Sequence, residues 1–302
     1  MKVIKSLCAA LFLLFGVTVL NFGLIHLAPG DPLDALAGPK ATEHFLNQRA
    51  AALGLNDPLP LRYCRWLSNL LKGDLGSSYR DMTPVAPQIG QALKNSLRLM
   101  VPSLLVAASL ALGTGWFCAT HPKARRTKVL KALTLLALGW PSFLLSLIFL
   151  WLFALKLRLL PPSGAETWRH ALLPGLVLAI GTWGRLSRYC QAFFGQVLEG
   201  EPLFFSKARG ASRAMLFCQA LKALAAPLVT LLSLETPLLI GGAVITERIF
   251  RWPGMGTLLV HAVARRDYPV ILGVNMVVAL CVVGVNTLVD LLRPFLDPGV
   301  KR

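Results

Sequence analysis

The chain has 302 residues, of which 55% are hydrophobic and only 15% charged, and it carries a formal net charge of +17. A soluble domain has about 25% charged residues, and the apolar residues here form runs too long for the core helices of a soluble enzyme. The positive charge is typical of cytoplasmic loops in a membrane protein, and without an aromatic-interleaved basic patch it does not indicate a nucleic-acid partner.

Six membrane-spanning helices are predicted, at about residues 6–28, 99–120, 132–155, 170–190, 223–246 and 268–290. At about 1.5 Å of rise per residue, such runs cross a hydrocarbon core of about 30 Å. The fourth is included because Arg185 and Arg188 can snorkel to the cytoplasmic interface, and the fifth carries Glu235 near its middle. The sequence therefore predicts an all-α integral membrane protein, with a single transmembrane domain over residues 1–302.

Basic residues set the predicted orientation. The segment from His121 to Lys131 contains five Lys and Arg residues and no acid, and the segment from Arg185 to Lys222 is also basic. Because basic loops are retained in the cytoplasm, both termini are expected there. The segments at about 31–96, 156–169 and 247–267 are then extracytoplasmic.

The first extracytoplasmic segment contains a predicted amphipathic helix between Asp57-Pro58 and Gly73. Two readings stay open for it: a cap packed on the helix bundle, or a surface in contact with substrate. Its apolar residues recur with helical spacing, at Tyr63, Trp66, Leu67, Leu70 and Leu71.

No catalytic motif is present in the sequence. The phosphate-binding pattern GxxxxGK[ST] and the patterns HExxH and GxSxG are absent, and the five histidines are far apart. The chain is therefore expected to have no catalytic site, no metal site and no cofactor of its own. Energy for active transport would come from a partner subunit or from an ion gradient.

Eight short motifs follow one another along the chain: His26–Pro32 (HLAPGDP), Leu53–Pro60 (LGLNDPLP), Gly73–Ser78 (GDLGSS), Pro141–Phe143 (PSF), Leu160–Gly164 (LPPSG), Trp252–Gly256 (WPGMG), Asp267–Val270 (DYPV) and Leu288–Asp290 (LVD). Together they resemble the transmembrane permease subunits of ABC importers in the oligopeptide, dipeptide and nickel permease family. Each match is weak alone, but their shared order with a six-span topology makes the resemblance specific.

The resemblance implies a transmembrane domain of the type I ABC importer architecture in the bacterial inner (cytoplasmic) membrane. It implies three kinds of partner besides the lipid bilayer: a second homologous permease subunit, two cytoplasmic ATPase subunits that bind ATP and Mg, and an extracytoplasmic solute-binding protein. The implied solute is a peptide or a related small solute, with nickel or a metal chelate as further possibilities. Transport would proceed by alternating access driven by the partner ATPases.

Residues 199–222 are predicted to form the cytoplasmic coupling loop, which in this family docks on the ATPase. Pro202 suits the first turn of a helix, and Gly210 can end that helix before another begins near Ser212. A helix lying on the bilayer surface is the alternative. The segment departs from the family pattern at Pro202, Phe204 and Phe205. The predicted coupling residues are Leu203, Phe204, Phe205, Ser206, Lys207, Ala208, Arg209, Gly210 and Ala211.

Two polar residues within predicted spans are candidates for the translocation path, Glu235 and Asn275. An intramembrane carboxylate is costly, so Glu235 is expected to line the path, to be protonated, to pair with a basic residue of the partner subunit, or to form an interhelical hydrogen bond. For Asn275 a helix–helix contact is the alternative, as it is for Asn21 and Asn286.

The turn before the last span is predicted to form the outer gate or the side that meets the binding protein, through Trp252, Pro253, Gly254 and Gly256. The alternative is a tryptophan anchored at the membrane interface. For the whole chain, the alternative functions are a secondary transporter or channel without ATPases, and a membrane scaffold.

Overall fold

The computed structural model describes residues 2–27, 44 and 57–296, and in these ranges the chain is built from helices joined by short turns. The motif residues 28–32 and 53–56 lie outside the described ranges. The helices are α1 (Lys2–Leu27), α2 (Leu59–Leu71), α3 (Val85–Thr120), α4 (Arg125–Gly139), α5 (Ser142–Phe149) followed by a π-helix (Leu150–Lys156), α6 (Trp168–Glu199), α7 (Glu201–Ala208), α8 (Arg213–Ile249), α9 (Met255–Ala264) and α10 (Tyr268–Leu296).

Four of the described helices are long and apolar enough to cross a membrane: α1 over Ser6–Ile25, α3, α8 and α10. The pair formed by α4 and α5 with its π-helix gives a fifth candidate if it acts as one bent span. Helix α6 contains the predicted span at 170–190, but charged residues such as Arg185 interrupt its apolar surface. The all-helical membrane fold is thus confirmed, and the count of six spans stays a prediction.

The third predicted span, at 132–155, is not a straight helix. Helix α4 ends at Gly139, and α5 begins at Ser142 after a bend of 104°. The reason is Pro141, which has no N–H to continue the helical hydrogen bonds and forces Trp140 out of the helical region, to a ψ of 123°. A long uncharged run therefore forms two helices at an angle.

Contacts divide the chain into two compact units, the first formed by Met1–Ser96 and Pro253–Gly284. One of its core clusters packs α3, α9 and α10 together around Val85, Ile89 and Val274. A second cluster packs Phe22 of α1 against Tyr268 of α10. The rings of Tyr63 and Trp66 on α2 lie 5.3 and 5.8 Å from the ring of Phe22.

Helix α2 confirms the amphipathic helix predicted before Gly73, and it packs on α1 as a cap would. The hydroxyls of Tyr63 and Thr18 lie 2.8 Å apart, which adds a polar contact to the aromatic one. Leu71, the last residue of this face, is 80% exposed at the end of the helix and is not packed on α1.

The second unit comprises Leu97–Trp252 and Val285–Arg302. Its largest core cluster surrounds the fully buried Phe194 of α6 and includes Leu203 of α7 and Leu216 and Leu224 of α8. Helices α4 and α6 approach closely at Gly184, where an added Cβ would lie 3.0 Å from the Thr134 carbonyl oxygen. The absence of a side chain at Gly184 permits this approach.

Candidate functional site

The predicted coupling segment forms a short helix, α7, between two long ones. Gly200 alone separates it from α6, and Pro202 occupies its first turn. Gly210, with φ of +80°, ends it in the left-handed region that favours glycine. Ser212 then caps α8 by accepting a hydrogen bond from the Met215 N–H at 3.2 Å. The predicted helix, glycine break and second helix are confirmed.

Helix α7 has one buried face and one exposed face. Leu203 and Ser206 are buried, Leu203 within the cluster around Phe194. Phe204 and Phe205 are 62% and 58% exposed, and their rings lie 6.0 Å apart. Two neighbouring exposed aromatic rings suit insertion into a partner's pocket, and a membrane-surface position stays the alternative. Of the other predicted coupling residues, Lys207, Ala208, Arg209 and Gly210 are exposed and Ala211 is half-buried.

Glu235 forms an ion pair with Arg185, which joins α8 to α6. The Arg185 Nε donates to both carboxylate oxygens at 3.0 Å, and Nη2 donates to Glu235 Oε2 at 2.7 Å. Nη2 also lies 3.5 Å from the Thr182 hydroxyl. Two charged residues that are 50 positions apart in the sequence therefore neutralise each other within one chain, and their ion pair joins α6 to α8.

This pair corrects two expectations from the sequence. Arg185 does not snorkel to the interface, because its guanidinium is held by the carboxylate one helix away. Glu235 does not require a basic residue of the partner subunit, because its own chain supplies one and its side chain is only 6% exposed. The interhelical reading of Glu235 is the one that the structure supports.

Asn275 joins two helices of the first unit. Its Nδ2 donates to Asn21 Oδ1 at 2.9 Å, and Asn21 Nδ2 donates to the Leu272 carbonyl oxygen at 3.1 Å. Both amides are therefore engaged between α1 and α10, as expected for helix–helix polar contacts. A role of Asn275 in the path stays a prediction. Asn286, for which the same contact was expected, is instead exposed on α10.

The turn at Trp252–Gly256 is anchored through its backbone. The Met255 N–H donates to Ser96 Oγ at 2.8 Å, and Asn95 Nδ2 donates to the Pro253 carbonyl oxygen at 2.9 Å. Gly254 and Gly256 are buried beside these contacts.

Trp252 is only 4% exposed and packs with Leu99, Leu178 and Leu239. An indole buried in this way does not serve as a tryptophan anchor at the membrane surface, so that alternative is wrong. Whether the turn belongs to the outer gate stays a prediction.

Two motifs that were noted separately in the sequence meet in the structure. The buried carboxylate of Asp267 accepts a hydrogen bond from the Ser78 hydroxyl and one from the Tyr79 N–H, the latter at 3.1 Å. Ser78 Oγ in turn accepts from the Arg80 and Asp81 N–H groups at 3.3 and 3.2 Å. The GDLGSS turn is thus fastened to the start of α10.

Tyr79 stands beside this carboxylate, outside the membrane-spanning segments. Burial raises the pKa of its phenol, the charges of Asp267 and Tyr268 raise it further, and Arg62 opposes them. The sequence alone did not indicate this role of Asp267. The acid directly before an aromatic residue and a proline can be seen in the sequence, but its contact with Ser78 cannot, because Ser78 lies 189 residues earlier.

Glu247 is a second acid to which the sequence pattern gave no role, and it is fully buried near the end of α8. Its carbonyl oxygen accepts the Trp252 N–H at 2.8 Å. The LPPSG motif ends nearby, because the Gly164 N–H donates to the Phe250 carbonyl oxygen at 3.1 Å. Within residues 2–27, 44 and 57–296, no group of three or more His, Cys, Asp or Glu side chains is arranged to hold a metal ion.

Several long apolar helices, with a short exposed helix between two of the longest, are typical of a multi-pass membrane protein. The chain belongs to the family of binding-protein-dependent transport system inner membrane components. Residues 111–302 match the family's main domain, and residues 2–110 match its N-terminal domain. It is accordingly an ABC importer permease subunit of the peptide and dipeptide type.

Curated relatives match over nearly the whole chain. The chain is 31% identical over 300 residues to the glutathione transport system permease protein GsiC of Escherichia coli K12, covering 99% of this chain and 98% of the relative. It is 34% identical over 312 residues to a putative peptide permease protein of Brucella suis, with the same coverage.

Proposed function

We propose that the chain forms, with a second permease subunit, the translocation path of an ATP-driven importer for short peptides. The observation that carries this proposal is α7, a short helix with two exposed phenylalanines joined directly to two long helices. The relatives named as glutathione and peptide permeases support the same solute class. Family membership also disfavours a secondary transporter or channel, and the quoted names favour peptides over nickel or metal chelates.

In this proposal α7 transmits the ATPase cycle to the membrane. Its exposed Phe204 and Phe205 dock on a cytoplasmic ATPase subunit, while Leu203 holds it to the core around Phe194. ATP binding and hydrolysis occur in the two partner ATPases, and an extracytoplasmic binding protein delivers the solute. The chain contributes the path and the coupling contact, and no chemistry.

The proposed topology follows from α7. If it docks on a cytoplasmic ATPase, the basic α3–α4 turn and both termini lie on the cytoplasmic side of the inner membrane, with six spans. The α2 cap, the Ser78–Asp267 contact and the Trp252–Gly256 turn then face outward, where the binding protein arrives. The basic residues at 123–131 support this orientation.

The experiment is reconstitution of the complete importer in lipid nanodiscs with its binding protein. We expect peptide-loaded binding protein to stimulate ATP hydrolysis by the wild-type complex. Phe204→Ala with Phe205→Ala should weaken the ATPase interface by about 2 kcal/mol or more and abolish most of the stimulation. The permease subunit itself should fold normally, since both side chains are more than half exposed.

Leu203→Ala is the matched control on the same helix. Its side chain is 6% exposed in the core cluster, so truncation should lower the stability of the permease subunit, by about 2–5 kcal/mol. Full stimulation by the Phe204/Phe205 double variant would refute the docking role and leave the phenylalanines at the membrane surface. Absence of any co-purifying ATPase from wild type would refute the importer itself.

A further inference from the structure

Two cavities follow one another along the seam between α6 and α8, within the second unit. The first, of about 430 Å³, has Gln196 of α6 and Leu224 of α8 among its lining residues. The second, of about 720 Å³, is lined by the neighbouring residue of each helix, Val197 and Ala223, and extends to α7. Because the lining positions continue from one cavity into the other, the two together form a single groove, which we call the α6–α8 groove.

The α6–α8 groove follows one face of each of its two long helices. On α8 the lining residues recur with helical spacing between Gln219 and Leu231. On α6 they have the same spacing and are Tyr189, Ala192, Phe193, Gln196, Val197 and Gly200. Ala192, Ala223 and Pro227 are exposed. The groove is therefore open at the surface of the described chain in both of its parts.

All the charged residues that line the α6–α8 groove are basic. Arg209, at the end of α7, and Lys222 of α8 line the second cavity, and Arg293 of α10 lines the first. In the part of the chain that the structure describes, none of these three side chains forms an ion pair. The acids near them in the sequence line neither cavity: Glu199, Glu201 and Asp290. The groove therefore offers positive charge to an anionic ligand.

The basic end of the groove lies where α8 begins its apolar stretch. Lys222 directly precedes the predicted span at 223–246, and α8 is long and apolar enough to cross a membrane. Beyond Lys222 the wall of the groove is mostly apolar and includes Phe193, Leu224 and Leu231. A phospholipid has the same order of chemistry, with a phosphate at the membrane surface and acyl chains below it. Basic pockets between membrane-spanning helices at this level are typical binding sites for anionic headgroups.

We propose that the α6–α8 groove binds an anionic phospholipid of the surrounding bilayer. Arg209 and Lys222 hold its phosphate through charge-assisted hydrogen bonds, and one acyl chain lies along the apolar wall between α6 and α8. Charge complementarity favours a lipid over a second protein chain, because every charged lining residue is basic and the bilayer supplies anionic headgroups at this depth. The inference needs a membrane around α8 and does not depend on which solute is imported.

A lipid in this groove contacts α7 and α8 together. Pro202, Phe205 and Arg209 of α7 line the second cavity, whereas Phe204 does not. The headgroup therefore lies against one face of α7 and joins it to the start of the span in α8. Phe204 stays available for the proposed contact with an ATPase subunit.

The test is lipid binding to the complete importer, measured by native mass spectrometry in a mild detergent that retains its subunits. The delipidated complex is titrated with phosphatidylglycerol, and with phosphatidylcholine of the same acyl chains as the reference without net charge. We expect the wild-type complex to bind phosphatidylglycerol more tightly. Arg209→Gln with Lys222→Gln should weaken that binding about twenty-fivefold, from about fivefold for each basic residue at an anionic surface.

Lys207→Gln with Arg213→Gln is the matched control. Both residues are basic and exposed in the same segment, and neither lines the groove. This variant loses the same charge and should bind phosphatidylglycerol as the wild type does. Ala226→Phe tests the apolar wall, because the larger side chain fills the first cavity and should weaken binding without any change of charge. Glycerol 3-phosphate, which has the phosphate but no acyl chain, should not displace the lipid.

Equal losses of binding in the two double variants would show that only total charge matters, and would overturn the site. Binding that neither Arg209→Gln/Lys222→Gln nor Ala226→Phe changes would show that another subunit covers the groove in the importer. Displacement by glycerol 3-phosphate would assign the basic end to a free phosphate. The same spectra show whether the ATPase subunits are present, so a failure of the proposed importer is seen separately from a failure of the lipid site.

Discussion

Breaking the Arg185–Glu235 pair by one partner should cost far more than removing both. Arg185→Gln leaves a carboxylate that is 6% exposed without its cation, which costs about 3–5 kcal/mol. Glu235→Gln leaves a guanidinium that is about one-third exposed and can reach water, so we expect about 2–3 kcal/mol. The double glutamine variant loses only polar contacts, worth about 1 kcal/mol between membrane helices.

These values predict a coupling energy of about 4 kcal/mol or more between the two positions. The assay is a double-mutant cycle on the free energy of unfolding, measured by titration of the purified chain from mild detergent into sodium dodecyl sulfate. Arg188→Gln, at an exposed neighbouring arginine, should change that free energy by less than about 0.5 kcal/mol.

A coupling energy below about 0.5 kcal/mol would refute the reasoning. The two charges would then be solvated independently, and α6 and α8 would be held together by apolar packing alone.

Three further predictions concern topology, the Ser78–Asp267 contact and close helix packing. An impermeant thiol reagent added to spheroplasts should label Cys64, which is exposed on α2. The same reagent should not label the Lys128→Cys variant at position 128, because that position lies in the basic segment expected in the cytoplasm. Asp267→Asn should cost about 1–3 kcal/mol and speed hydrogen exchange at the Tyr79 amide, because a buried charge-assisted acceptor is lost. Gly184→Leu should cost about 3 kcal/mol by thermal unfolding, because backbone atoms of α4 occupy the space.

Each of these has a matched control. Asp81→Asn, at an exposed carboxylate in the same turn, should leave exchange at Tyr79 unchanged. Gly195→Leu, on the same helix as Gly184 but with no atom near its added Cβ, should be tolerated. Labelling at position 128 would show that the chain has the opposite orientation. No change in stability in Asp267→Asn would show that the Ser78–Asp267 contact contributes nothing to it.

Tyr79 gives a prediction for alkaline pH. The unfolded phenol ionises near pH 10, and in the folded chain burial raises its pKa. The folded state therefore holds the proton more tightly, so this contribution to stability is complete below about pH 10 and falls as the pH rises through the raised pKa. Tyr79→Phe should remove this decline above about pH 10, which thermal unfolding at several pH values would measure.

Local features of the fold were predictable because they depend on neighbouring residues. The helix around Tyr63 and Trp66 follows from apolar spacing, and the end of α7 follows from the freedom of Gly210 to adopt a positive φ. The break at Pro141 was also in principle visible. It was missed because the uncharged run around Pro141 is long enough for a membrane span, and prolines also occur within straight membrane helices.

The paired polar residues were not predictable, because their partners are distant in the chain. Arg185 and Glu235 are 50 residues apart, and Ser78 and Asp267 are 189 apart. Sequence alone shows that an intramembrane acid needs a partner, but several arginines were available to Glu235. Only the packing of α6 against α8 selects Arg185, and the same argument holds for Asn21 and Asn275.

The two faces of α7 separate the residues that the fold requires from those that are free for the proposed docking on an ATPase. Leu203 and Ser206 are fixed by the core that they enter, whereas Phe204 and Phe205 contact little of their own chain. Substitutions on the exposed face can therefore accumulate over evolution without unfolding the permease. Under the proposed docking role, each of them can also change which ATPase the permease accepts. Grafting only the exposed positions of α7 from a relative would then be a direct way to make one importer work with the ATPase of another.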